Sequence, residues 1–258
     1  MKLQEAKDIA ETYGINIKAK PYLISKPDAN PKVAKNMKQG VLTAPLHLAP
    51  STVAGYNTCA NSTPACEGFC IHYTGNPAFM SQKERSRIAK TKLYFEDREA
   101  FLTLLIDDMQ WLARKAERMG LKAGLRLNAT CDIPWERVSY GGAVVTFYAD
   151  KYGIELYDYT KTVKRALAQP YHITFSRTEN NDIDCMKVLS RGHNVAVIFH
   201  VTKATPLPDM WNGYPVIDGD ESDWRPGDLL GSVVGLKAKG DARKDTSGMV
   251  VRANPLIS

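Results

Sequence analysis

No stretch of the 258 residues approaches the roughly 18 consecutive apolar residues that a membrane-spanning helix needs, so no membrane partner is expected. The opening MKLQEAKDIAETYG has neither the apolar core nor the cleavage site of a secretory leader, which points to the cytoplasm. There is no G-x-G-x-x-G fingerprint and no P-loop lysine, which counts against dinucleotide binding and NTP hydrolysis. The G-x-S-x-G turn that exposes a hydrolase serine is also missing. Cysteine is scarce and odd in number, five in all, which argues against a disulfide framework and for reduced thiols used in metal binding or chemistry.

What is present is the composition of an ordinary globular domain, 44% hydrophobic and 24% charged, with a net charge of +6. Residues 1–38 are crowded with lysine and carry Pro21, Pro27 and Pro31, so after an opening helix they read as a basic arm packed on the body. Lys83, Arg85, Arg87, Lys90 and Lys92 form a second basic run, which leaves nucleic acid or another phosphate-bearing partner open beside a plain solvated surface.

From Gly40 the pattern changes. VLTAPLHLAP is a short apolar run ended by proline and reads as the first core strand. Residues 81–120 read as helical, with Phe101, Leu105, Met109, Leu112 and Ala116 at helical spacing. Further apolar segments follow at 123–128, 154–159, 171–176, 194–201, 214–218 and 233–239, and the first three gaps have room for helices. Strand, helix, strand in repetition predicts parallel strands joined by right-handed crossovers. The expected fold is therefore α/β, a complete or partial (βα) TIM-like barrel over residues 39–258, with an open doubly wound sheet as the alternative. In such a fold the polar residues near C-terminal strand ends surround the chemistry.

The expected first strand leads into a loop, residues 56–72, that carries Cys59, Cys66 and Cys70 as C-x6-C-x3-C. Thiolates suit iron–sulfur clusters and zinc. Three can hold a [4Fe–4S] cluster by three corners, leaving one iron open to a small molecule, whereas zinc would recruit His72 as fourth ligand. Cys131 ends GLRLNATC and is a candidate fourth ligand or reactive thiol, while Cys185 falls in a helix and reads as packing. Asp132 and Glu136 follow Cys131 as candidate acid and base, Asp132 having a helix-capping role as its alternative. Arg126 and Asn128 share one strand face, Ser176 and Arg177 end another strand, and Lys237 and Lys239 lie near a third, all candidates for binding a cosubstrate, phosphate or carboxylate. Asp218-Gly219-Asp220-Glu221 is a further acidic loop.

On LAPSTVAGYNTC with its later cysteines, TKLYFEDREAFL, LRLNATCDIPWE, YDYTK, YHITFSR, NVAVIF, WNGYPVIDGDESD and VVGLKAKGDARKDTSG, the chain resembles a phage and plasmid family, the mycobacteriophage gene-product-88-like proteins. That resemblance implies a phage or mobile-element setting, and host cytoplasm if phage-encoded, without an activity. The architecture is also similar to that of radical S-adenosylmethionine enzymes, partial (βα) barrels with a three-cysteine [4Fe–4S] loop after the first strand. It implies Cys59, Cys66 and Cys70 as cluster ligands and S-adenosylmethionine held near Arg126, Asn128, Ser176 and Arg177. Here the spacing is wider than C-x3-C-x2-C, Phe69 precedes the last cysteine, and no Gly-Gly-Glu follows the second strand. The reading expected from these signals is an iron–sulfur enzyme of this kind acting on a small molecule. The alternatives are a phage nucleic-acid-associated protein with a structural cluster or zinc, and an open iron serving as Lewis acid beside Asp132 or Glu136.

Overall fold

The computed structural model describes residues 1–27, 35–73, 80–202 and 204–252, so residues 28–34 of the expected arm lie outside it. The chain divides into two compact units, Met1–Ala60 with Gly75–Asp158, and Asn61–Thr74 with Tyr159–Ser258. The division falls inside the cysteine loop.

In the first unit α1 (Leu3–Thr12) buries Ala6 and Ala10, and β1 (Val41–Pro45) is buried at every position. Then α2 (Pro64–Gly68) belongs to the second unit, while α3 (Met80–Glu96) and α4 (Arg98–Arg118) return to the first. The apolar stripe read from the sequence is the reason α4 forms and stays: Phe101, Leu105, Met109, Leu112 and Ala116 are all buried. Its Phe101 ring stacks near Trp135, with centroids 6.3 Å apart, and Tyr94 meets both edge-on. After α4 come β2 (Lys122–Arg126), the short hairpin β3 (Ser139–Tyr140) and β4 (Ala143–Val144), α5 (Val145–Lys151) and β5 (Ile154–Thr160). β1 runs parallel to β2, with Pro45 opposite Arg126, and β2 runs parallel to β5, with Leu125 opposite Leu156.

In the second unit the order is α6 (Val163–Ala168), β6 (His172–Ser176), α7 (Asp182–Leu189), β7 (Val195–Phe199), β8 (Met210–Trp211), β9 (Tyr214–Asp218), β10 (Val233–Lys237) and β11 (Val250–Val251). β6, β10 and β11 run parallel to β7, β9 runs parallel to β10, and β8 is antiparallel to β9. Phe175, Val188, Val195, Val197, Phe199 and Val233 form its core together with the buried Cys185. Beside the β9–β10 pairing the packing excludes side chains at two glycines: a Cβ on Gly219 would meet Val234 Cγ1 at 2.5 Å, and one on Gly235 would meet Val216 Cγ1 at 2.7 Å.

The protein is thus mixed α/β with mostly parallel strands, as the alternation of segments predicts. Among the described residues no ladder closes either unit's strands into a barrel. No described helix is long and apolar enough to cross a membrane.

Candidate functional site

The first unit gathers several candidates at the C-terminal ends of β1 and β2. Parallel pairing puts both ends on one edge, and the chain beyond them is fixed by polar bonds. Thr58 Oγ1 donates to Ala49 O at 2.7 Å, and Thr58 O accepts the Asp132 N–H at 2.8 Å. Cys59 follows directly, its N–H on Asn57 Oδ1 and its sulfur 3.9 Å from Thr130 O. The loop after β1 therefore lies against the loop after β2.

Asn128 organises that second loop and does not face a ligand. Its amide nitrogen donates to Ile133 O and Asp158 Oδ2, while its oxygen accepts from Ile133 N, Trp135 Nε1 and the Cys131 thiol. Both amide hydrogens are used, so the side chain has no donor left for a cosubstrate. Asp158 also accepts the Asn128 N–H, at 2.6 Å. The Cys131 thiol is buried, and burial, with Cys59, Asp158 and Asp132 nearby, pushes its pKa well above the usual value. Burial thus favours the neutral thiol, which does not suit a free nucleophile. The helix expected after Asp132 is a single 3-10 turn, Trp135–Arg137, in which Glu136 sits and for which Pro134 is the N-terminal boundary.

Cys66 and Cys70 lie in the second unit. Thr63 caps α2 by accepting the Cys66 N–H at 3.2 Å and donates to Glu179 Oε2 at 2.9 Å. Pro64 at the first helical position fits this start. Cys70 N donates to Glu67 O, and Phe69 packs against Ala238, Ala242 and Val250. His72, the zinc alternative, is buried with its ring edge-on to Tyr73.

All five cysteines are free thiols, and Cys59, Cys66 and Cys70 are only half-buried. By donor chemistry these three suit a soft metal. Among the described residues no three of the His, Cys, Asp and Glu side chains form a group able to hold an ion.

The other candidates in the second unit are built into the surface. Arg177 Nε and Nη2 grip the Asp182 carboxylate, Nη1 donates to Gly248 O and Met249 O at 2.8 and 3.0 Å, and the guanidinium lies over the Trp211 ring. Ser176 O accepts from Asn181 Nδ2. Asp220, from the acidic loop, joins the two lysines: its Oδ1 pairs with Lys239 Nζ and its Oδ2 accepts the Lys237 N–H. Lys237 Nζ reaches Thr205 O at 3.3 Å. Sequence reasoning missed Asp158 as the partner of Asn128; its only signal was being one of two carboxylates, with Glu155, in the largely apolar run IELYDYT. It also missed His47 and Asp108, which look ordinary in sequence and matter only through burial.

Mostly parallel strands with helices between them define a mixed α/β protein. The family model described as Gene product 88 matches residues 22–253, and the chain belongs to that family. No curated protein and no solved structure matches it.

Proposed function

We propose that the chain binds a [4Fe–4S] cluster through Cys59, Cys66 and Cys70 on a partial (βα) barrel and is a radical S-adenosylmethionine-like enzyme. The observation that carries this reading is the rest of Cys59 against Thr130, which puts the start of the cysteine loop at the C-terminal edge of two parallel strands, where α/β sheets bind ligands. When bound, such a cluster supplies one electron to the sulfonium of S-adenosylmethionine. The chain's own part is to hold and shield. A thiol gives up its proton to bind a metal, so metal binding and ordering of the loop are coupled. Asn128, Asp158 and Trp135 stiffen the neighbouring loop. Asp132 and Glu136 stand beside it as candidate acid and base.

The test is iron and sulfide analysis of anaerobically purified protein, with absorbance near about 400 nm, where thiolate-bound clusters absorb. Equal iron and sulfide, lost in the Cys59→Ala/Cys66→Ala/Cys70→Ala triple variant, supports the reading. Iron retained in that variant, or zinc in its place, defeats it. The net charge of +6 favours a second reading, nucleic-acid association around a structural cluster or zinc. It requires binding to DNA or RNA that weakens steeply with salt.

A further inference from the structure

The basic run in the sequence acquires a specific arrangement in the first unit. Lys83, Arg87 and Lys90 stand at i, i+4 and i+7 of α3, on one helix face. Arg126 ends β2 opposite Pro45, and its carbonyl takes the Leu46 N–H at 2.8 Å, which brings it beside the step leading to His47. The segment before residue 26 closes a third side. Ile24 bridges to Leu46, Ser25 N donates to Pro45 O at 2.8 Å, and Ser25 Oγ lies 3.2 Å from His47 Nδ1. Lys90 Nζ donates to Leu23 O at 2.7 Å, tying α3 to the same segment.

Arg87, Lys90, Arg126 and Lys83 are near enough to His47 to oppose a charge on it. Burial and these four cations hold its pKa well below the usual value, so it is a neutral imidazole. Burial likewise pushes Lys90 down to about 8, against the pull of Asp108. Asp108 is itself engaged by the main-chain N–H groups of Tyr22, Leu23 and Ile24. Arg87 is buried, whereas His47, Lys83, Lys90 and Arg126 keep partial exposure. Cations drawn together in a half-buried place repel one another, and a bound anion reverses the sign of that interaction. The place is the C-terminal edge of β1 and β2, where parallel sheets take their ligands.

We propose that Lys83, Arg87, Lys90, Arg126 and His47 bind the phosphate group of a small phosphorylated molecule. The choice of phosphate over carboxylate follows from charge: a phosphate monoester carries about −1.5 to −2, spread over several acceptor oxygens, and so suits four cations better. Guanidinium groups such as those of Arg87 and Arg126 match phosphate oxygens in geometry. Nucleic acid fits less well, because a duplex backbone needs protruding side chains and Arg87 is buried. The site goes beyond the cluster reading and uses none of the cysteines.

The experiment titrates the full chain with inorganic phosphate, and separately with acetate, following thermal stability and calorimetric heat. Wild type is expected to be stabilised saturably by phosphate and less by acetate, with Arg126→Gln and Lys83→Gln weakened about tenfold or more, the worth of one charge-assisted hydrogen bond. Circular dichroism checks that each variant folds; Lys83 is only half-buried, so its variant serves even if Arg126→Gln does not. Lys244→Gln, an exposed lysine paired with Asp241, is expected to bind as wild type does. Cys59→Ala should also bind normally, which separates failure here from failure of the cluster reading. Absence of saturable binding, equal binding by Lys83→Gln and Arg126→Gln, acetate as effective as phosphate, or salt-steep duplex binding without phosphate binding would each overturn the proposal.

Discussion

Asp108 in the first unit and Asp245 in the second do the same job in different surroundings. Each carboxylate gathers main-chain N–H donors and so fixes a segment lacking regular structure. Asp108 takes those of Tyr22, Leu23 and Ile24, while Asp245 takes Ser247 N, Ser247 Oγ and Val250 N. Neither is accessible, at 0% and 4% exposure. Yet burial raises Asp108 to about 6, its donors notwithstanding, whereas at Asp245 burial raises the pKa less than the bonds from Ser247, Val250 and Gly248 lower it. Asp108 lies on the buried face of α4, while Asp245 sits in the loop it organises. Depth, and not the count of donors, decides whether such an anchor is comfortable as a charge.

Removing the anchors sharpens this contrast most. Asp108→Ala strands three buried N–H groups and is expected to lose about 3–5 kcal/mol in denaturant unfolding, because water cannot replace the acceptor. Asp245→Ala should lose about 1–2 kcal/mol, since its two Ser247 donors are only partly buried. Equal losses would mean that depth does not separate the two. Because Tyr22–Ser25 borders His47 and Lys90, Asp108→Ala should also abolish phosphate binding, whereas Asp245→Ala should leave it intact.

The pH dependence gives opposite signs. Asp108 holds its proton more tightly folded than unfolded, about 6 against 3.8, so its contribution is fully present below pH about 4 and is lost as pH rises towards 6. Asp245 is lowered, so its contribution is present above pH about 4 and is lost as the solution becomes more acid. Asp228, also raised to about 6, adds to the first trend. His47, lowered from 6.5, and His172, lowered to about 4, oppose it, because each loses stability as pH falls below about 6.5. The informative quantity is therefore the difference between wild type and Asp108→Asn. Wild type minus variant should decline between pH about 4 and 6, and a flat difference would show that Asp108 titrates normally.

The strands were legible because their apolar runs are short, regularly spaced and bounded by turn residues. All seven apolar runs read from the sequence hold strands, from Val41–Pro45 to Val233–Lys237. The helix Arg98–Arg118 followed from its stripe. The division within the cysteine loop was not legible, because composition does not change there. Polar side chains on strands were visible as candidates, but their use was not: Asn128 looks like a ligand-facing amide until Trp135 and Asp158 are seen to saturate it. Arg177 likewise looks available until Asp182 and the Gly248 and Met249 carbonyls take its donors. The lysine and arginine run at 83–92 could be read only as charge; its convergence on His47 depends on the end of β1, about forty residues away in sequence.

The smallest effect is expected at the brace of the Asp245 loop, and it probes whether that shallow region depends on charge at all. Arg177 makes two kinds of bond, an ion pair with Asp182 of α7, whose side chain is 55% exposed, and neutral-acceptor bonds to the loop carbonyls Gly248 O and Met249 O. Exposed ion pairs are worth about 0–1 kcal/mol and are screened by salt, so Asp182→Asn should cost less than about 0.5 kcal/mol and nothing at high salt. Arg177→Lys keeps the charge but gives up the fork that reaches both carbonyls, and should cost about 1 kcal/mol at any salt concentration. Should Asp182→Asn match Arg177→Lys at low salt and both effects vanish at high salt, the loop is held by charge after all. The two anchored segments would then differ in the kind of force that fixes them, beyond the depth of their carboxylates.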